Sequence, residues 1–423
     1  MTQEPVVLTV ESIGVRGDGV AHHGGARVFL PFTLPGDRVR ARIGARHGDG
    51  CEGEVLGFEA TASRQKLRCP HFGLCGGCAL QHLPAELYAA SKVAWLKTAL
   101  ERQGLADAPI HPIRLIPPGT RRRARFTLRR PRGPVAVEVG FQARASHRVI
   151  DMQHCAVLHP RLLALVAPLR RLAPEILAPD GEGAATATLA ENGIDLLFDL
   201  AREPALGALE ALGAFARSEN LARLAWRVPG ASPMPVAQQR PVRVTMGGVA
   251  IDLPHDAFLQ ASAEADAALI AAVTQAASGA SHIADLFAGI GTFTFPLAAA
   301  AAVHAVEGDE AALAALTSAA ARAGLGTRVT AAPRDLVRRP LGPAELARFD
   351  CVLFDPPRAG AIAQARALGI SSVSRAIAVS CNQATFARDA RALADGGFRI
   401  VSIAPFDSFV WSPHLELVAL FER

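Results

Sequence analysis

Short apolar runs that close on a polar residue recur along the C-terminal part of the chain. Ile283–Leu286, Val303–Val306, Arg328–Ala332, Cys351–Phe354 and the run ending at Val379 read as strands, and a helix is expected around residues 262–278. Strands alternating with helices predict a doubly wound parallel α/β sheet from about Asp252 onward. Residues 5–58 differ. Val6–Val10, Val28–Leu30 and Arg38–Ile43 are short and alternate in polarity, and Gly14, Gly17, Gly19, Gly24 and Gly25 punctuate their turns. That pattern predicts a small β-barrel of the oligonucleotide-binding kind. Leu83–Leu105 reads as a helix. Residues 110–250 then mix expected strands (124–129, 134–141, 194–200, 241–245) with expected helices (160–173, 205–217), an α+β pattern. Pro174–Thr188 is rich in Pro, Gly and Ala and reads as a loop. The expected domains are 1–60, 61–250 and 251–423.

Composition narrows the class. Half of the 423 residues are apolar, so the chain is globular. The net charge is +5, and only three of the 44 basic residues are lysines. Arg121, Arg122, Arg123, Arg125, Arg129, Arg130 and Arg132 crowd one short stretch around Phe126. Such a cluster suits a phosphate-binding face as well as a solvated charged strand. Met1–Val10 holds no charged segment followed by an apolar one, and no run is apolar and long enough to cross a bilayer. A cytoplasmic protein without a membrane partner is expected. Seven cysteines, an odd number, argue for thiols and metal ligands in a reducing compartment.

The chemistry-bearing residues fall at strand ends. Asp285 to Thr292 is a strand end followed by a turn with Gly289 and Gly291. Such a turn lets a nucleotide approach the backbone, and the missing third glycine counts against NAD. Glu307 ends the next strand, where an acid would reach ribose hydroxyls, and Asp335 follows a third. Asp355 opens Asp-Pro-Pro-Arg after the fourth. Cys381 closes the strand after that, between Ser380 and Asn382. In open α/β sheets these ends converge on one crevice. A single strand-end cysteine is also often an inert core thiol, as Cys351 is expected to be, and Glu416 alone reads as a solvated carboxylate. Cys69, Cys75 and Cys78 form a C-x5-C-x2-C array, with Cys155 the best fourth ligand and Cys51 the competitor. Spacing leaves zinc and [4Fe–4S] equally open.

Glu307, Asp335 and Asp355 at successive strand ends resemble a class I S-adenosylmethionine methyltransferase. The whole set, with Ala79-Leu80-Gln81-His82, His255–Gln260, Ser380-Cys381-Asn382 and His414-Leu415-Glu416, resembles the RNA uracil-5-methyltransferase family over nearly the full chain. The resemblance implies an N-terminal TRAM domain and a [4Fe–4S] cluster on Cys69, Cys75, Cys78 and Cys155. It implies Cys381 as nucleophile, Glu416 as base, and Gln260, Phe287, Thr292, Glu307, Asp335 and Asp355 at S-adenosylmethionine. The RNA is expected to be 23S rRNA rather than tRNA, the enzyme a monomer and the cluster structural. Thr292 and Ser262 stand where the family usually has Asn, and Val410 where Pro is common. A cytosine-5 methyltransferase lacks support, since Ser380 and not Pro precedes Cys381. Intact Cys381 and Glu416 argue against a non-catalytic assembly factor, and the missing flavin or dinucleotide fingerprint against an iron–sulfur redox protein.

Overall fold

The structure is a computed structural model that describes residues 4–48, 50–133 and 135–423. Pro134, where one expected strand begins, and the first three residues of the N-terminal reading lie outside the described residues. Near the N-terminus six strands form one sheet in the order Val6–Thr9, Arg38–His47, Gly50–Ala60, Ala26–Leu30, Gly19–His23, Ser12–Ile13. Alternation puts Leu8, Ala21, Val28, Leu30, Val39 and Ala41 on one buried face. The Glu11 N–H donates to the Val20 carbonyl at 2.9 Å, which draws the continuation of the first strand onto Gly19–His23.

A second, seven-stranded sheet runs in the order Val149–Asp151, Glu138–Gln142, Arg123–Arg130, Gly181–Ala190, Gly193–Leu200, Arg223–Arg227, Met234–Gln238. The expected helix 160–173 is two helices, Pro160–Leu163 and Val166–Ile176. The expected loop is corrected: Gly181–Ala190 is a central strand, paired with Arg123–Arg130 on one side and Gly193–Leu200 on the other. Its Gly and Ala residues have weak strand propensity, but hydrogen bonds along both edges override it. A Cβ on Gly183 would stand 3.1 Å from Leu177, so the small residues also admit the covering layer.

The C-terminal sheet positions the candidate site. Its strands are β1 (His282–Leu286), β2 (Ala302–Glu307), β3 (Val329–Pro333), β4 (Cys351–Phe354), β5 (Arg375–Ser380), β6 (Arg399–Asp407) and β7 (Glu416–Glu422). They lie in the order β3-β2-β1-β4-β5-β7-β6, with Arg114–Leu115 at the far edge. The first five are parallel, and β7 runs antiparallel to both its neighbours. One face packs against the helices Ala263–Ala276 and Glu310–Arg322 and the hairpin Arg243–Asp252. The other packs against Ala85–Glu101, Ile362–Gly369 and Gln383–Asp395. Two covered faces explain why the parallel strands are apolar throughout rather than alternating. No described helix is long and apolar enough to cross a membrane.

The arginine stretch is mostly neutralised within the protein. Buried Arg122 pairs with Asp266, Arg123 with Asp256, and Arg125 with Asp199, while Arg130 donates to the Pro174 and Leu177 carbonyls at 2.7 Å. These pairs tie much of the stretch to neighbouring elements, while the side chains of Arg125, Arg129 and Arg132 stay largely exposed.

Candidate active site

Cys381 follows the last residue of β5 and precedes Asn382, the N-cap of the helix Gln383–Asp395. Asn382 Oδ1 accepts from the Ala384 and Thr385 N–H groups, and its Nδ2 donates to the Arg358 carbonyl at 3.0 Å. A helix N-terminus next to a thiol favours its anion. Register supplies the partner. In the antiparallel pairing of β5 with β7, Ser380 stands opposite Leu417. Cys381 is the next residue after Ser380 and Glu416 the one before Leu417, and the Glu416 charge acts on the Cys381 thiol.

Both line one cavity of about 840 Å³ together with Arg358, Phe409 and His414. Glu416 is 2 % exposed, and its Oε2 has no hydrogen-bond partner among the described residues. Burial first, then the Asp355 carboxylate, pushes Glu416 well above the usual carboxylate range, while Arg358 opposes the rise. Burial likewise pushes the Cys381 thiol up to about 11, aided by Glu416 and Asp355 and again opposed by Arg358. The unliganded site thus holds its protons.

Asp355 links this cavity to the nucleotide turn. Burial and the neighbouring Asp285 push its carboxyl up to about 7. Asp285 is fully buried and accepts from Thr294 Oγ1 at 2.6 Å, and burial pushes it to about 7 as well. The turn itself runs through left-handed backbone, with φ of 61° at Phe287, 56° at Gly289 and 97° at Gly291. For Phe287 that conformation costs on the order of 1–3 kcal/mol, a strain typical of ligand-binding turns. Glu307 braces the turn: its Oε2 accepts from the Gly289 N–H at 2.8 Å, its Oε1 from Gly308 and Asp309 at 2.6 and 2.7 Å. Thr292 is half-buried in the same turn, and Asp335 is exposed and caps its own loop at Val337 and Arg338. Gln260 is buried beside Arg122, with its Oε1 unpartnered among the described residues. Of the residues expected at the cofactor, none lines the large cavity. Asp355 alone among them acts electrostatically on Cys381 and Glu416.

Cys69, Cys75, Cys78 and Cys155 line the same cavity. Burial is the largest cause raising the thiols of Cys75, Cys78 and Cys155, and each is raised further by the others' charge. The Gly77 N–H donates to Cys75 Sγ at 3.4 Å, and the Val157 and Leu158 N–H groups favour the Cys155 anion. Among the described residues no three His, Cys, Asp or Glu side chains group around a single-ion position. Cys51 lies on the strand Gly50–Ala60, away from the cavity. Cys351 is a fully buried core thiol. Arg358, Asp285 and His414 carried no assigned role in the sequence reading. Only the position of Arg358 within Asp355–Arg358 marked it there.

The pH dependence follows from these directions. Were Cys381 to act as a nucleophile and Glu416 as a base, each would first have to lose a proton, and burial holds both high. Below such values the deprotonated fraction falls tenfold per pH unit. With both substrates subsaturating, kcat/KM is expected to climb from pH 6 to 9 without a plateau. Arg358→Met, which removes the charge opposing both shifts, should displace the climb to still higher pH. A flat profile between pH 7 and 9 would contradict the proton-holding site.

Comparison with known proteins places the arrangement. Residues 333–423 match the family model for tRNA (uracil-5-)-methyltransferases. A Caulobacter vibrioides protein named as an uncharacterized RNA methyltransferase is 40 % identical over 98 % of this chain and 99 % of its own. A 23S rRNA (uracil(1939)-C(5))-methyltransferase of Acidithiobacillus ferrooxidans is 34 % identical over 99 % of this chain and 98 % of its own. Among solved structures, a Pyrococcus abyssi tRNA (uracil-54, C5)-methyltransferase bound to S-adenosyl-L-homocysteine superposes with a TM-score of 0.74. It is 20 % identical, and the alignment covers 98 % of this chain and 100 % of that one. That likeness gives the fold, a class I methyltransferase-like α/β architecture with a mixed sheet.

Proposed function

The chain belongs to the RNA uracil-5-methyltransferase family, and from that premise we propose that it methylates C5 of a uridine in 23S rRNA through a bond from Cys381 to C6. The observation that carries the reading is Cys381 sharing one cavity, and interacting electrostatically, with the buried Glu416, whose Oε2 has no partner among the described residues. Uracil C5 is too weakly nucleophilic to take a methyl group unaided. When the Cys381 thiol loses its proton and its sulfur bonds C6, the C5=C6 electron pair becomes an enolate with a nucleophilic C5. S-adenosylmethionine supplies the methyl group as a sulfonium cation. Glu416 then removes the C5 proton, the double bond re-forms, and the Cys381 thiolate leaves. The donor's sulfonium charge, placed beside Asp355, would offset the carboxylate charge that raises Cys381 and Glu416. Gln260, Phe287, Thr292, Glu307, Asp335 and Asp355 are the residues we assign to the donor.

The 23S rRNA assignment is supported by the full-length likeness to the Acidithiobacillus ferrooxidans enzyme. The N-terminal sheet fits a TRAM-like RNA-binding module over residues 1–60. The central unit, 61–250, and the methyltransferase unit, 251–423, follow it. A monomer suffices, since every residue invoked comes from one chain, and the reading places the protein in the cytoplasm with its RNA. With radiolabelled donor, the purified protein is expected to label 23S rRNA stripped of 5-methyluridine and to leave equally unmodified tRNA unlabelled. Preferential labelling of tRNA would overturn the choice of RNA while leaving the chemistry.

Cys69, Cys75, Cys78 and Cys155 fit a [4Fe–4S] cluster. Burial and neighbouring thiolate charge raise Cys75, Cys78 and Cys155, which a cation between them would relieve, and N–H groups directed at sulfur are a common feature of such sites. When bound, the cluster supplies a covalent tie between the segment around Cys75 and the loop carrying Cys155. Anaerobically purified protein is expected to be brown, with about four iron and four sulfide per chain. One zinc and no sulfide would contradict the assignment.

A further inference from the structure

Tyr88 and Lys92 lie one turn apart on the helix Ala85–Glu101, so they share a face. Lys92 is fully buried. Its ammonium donates to the Asp407 carboxylate, to the His414 carbonyl at 2.7 Å and to the Phe409 carbonyl at 3.4 Å. An ammonium has three donors. All of them go to the one segment between β6 and β7. The Tyr88 hydroxyl donates to Asp407 Oδ2 at 2.6 Å and accepts from the Trp411 N–H at 2.8 Å. Trp411 is held in left-handed backbone, φ 56°. Its carbonyl accepts from the Ala79 and Leu80 N–H groups at 2.9 and 3.0 Å, immediately after Cys78. The segment is therefore fixed at its start, middle and end.

The segment ends at Glu416. That carboxyl has a buried oxygen without a partner among the described residues, so its place is set by the backbone that carries it. A buried ion pair contributes little net stability against apolar residues of the same volume. A role in registering the segment fits the observations better than a role in holding the fold. We propose that Tyr88 and Lys92 are positioning residues for proton removal: they hold residues 407–414 so that Glu416 stands at the target C5. The inference rests on the reading of Cys381 and Glu416 given above.

The test separates two steps of the reaction. Tyr88→Phe removes only a hydroxyl. Lys92→Met combined with Asp407→Asn removes the buried charges and keeps the volume. Both variants are expected to bind S-adenosylhomocysteine within about twofold of wild type and to transfer a first methyl group at near-normal rate. Product release should slow at least tenfold, and a methylated protein–RNA complex should accumulate on ordinary RNA. Adding Tyr88→Phe to Glu416→Gln should bring no further slowing, because the two act on one step. If Glu416→Gln forms the complex while neither variant does, the positioning role is overturned. If Glu416→Gln forms none either, the base assignment falls and the positioning role with it. Should the double variant melt early, Tyr88→Phe alone decides.

Discussion

Glu416→Gln is expected to turn the enzyme into a trap for its own RNA. The substitution keeps the shape of a side chain that is 2 % exposed, and it removes a buried carboxylate that lines the cavity with Cys381 and acts on its thiol. Addition of Cys381 and methylation of C5 precede proton removal, so both should proceed once. Loss of a general base slows its step by about 10²–10⁴-fold. The protein should then carry a covalent RNA bearing one methyl group, stable to denaturation and labelled from a radioactive donor. Wild type should show little of it. Normal turnover by Glu416→Gln would remove Glu416 from the chemistry and leave Asp355 or His414 as the base to test.

Cys381→Ala is expected to abolish methylation entirely. The neighbouring structure does not depend on the thiol: Asn382 caps the helix and ties it to Arg358 without Cys381. The variant should therefore melt like wild type and still bind S-adenosylhomocysteine. Of the other cysteines, Cys351 is fully buried in β4, Cys51 does not line the cavity, and Cys69, Cys75, Cys78 and Cys155 are the proposed cluster ligands. Residual methylation above about one part in a thousand of wild type would point to a route that needs no nucleophile, at odds with the weak reactivity of uracil C5.

Local signals carried much of this. Gly289 and Gly291 announced a turn that does need left-handed backbone. Runs ending at Asp355 and Cys381 announced parallel strands whose ends meet. Register was invisible: nothing in the sequence near Glu416 says that β7 inserts antiparallel beside β5, and that insertion is what brings Glu416 to Cys381. Gly181–Ala190 was read as a loop because its residues have little strand propensity, while its order comes from two distant partners. The ion pairs of the arginine stretch were invisible for a similar reason. Its carboxylate partners Asp199, Asp256 and Asp266 lie far along the chain. Tyr88 and Lys92 gave no signal at all, since their partners are more than 300 residues away in sequence.

The central claim is a bond between Cys381 and uracil C6, and 23S rRNA carrying 5-fluorouridine tests it most directly. Fluorine at C5 cannot leave as a proton, so the reaction should halt after methyl transfer with sulfur still attached. Peptide mass spectrometry of the digested complex should find one methylated fluorouridine on the peptide containing Cys381, and none in Cys381→Ala. An adduct on a different residue, or an equal yield of adduct from the Ala variant, would contradict the account.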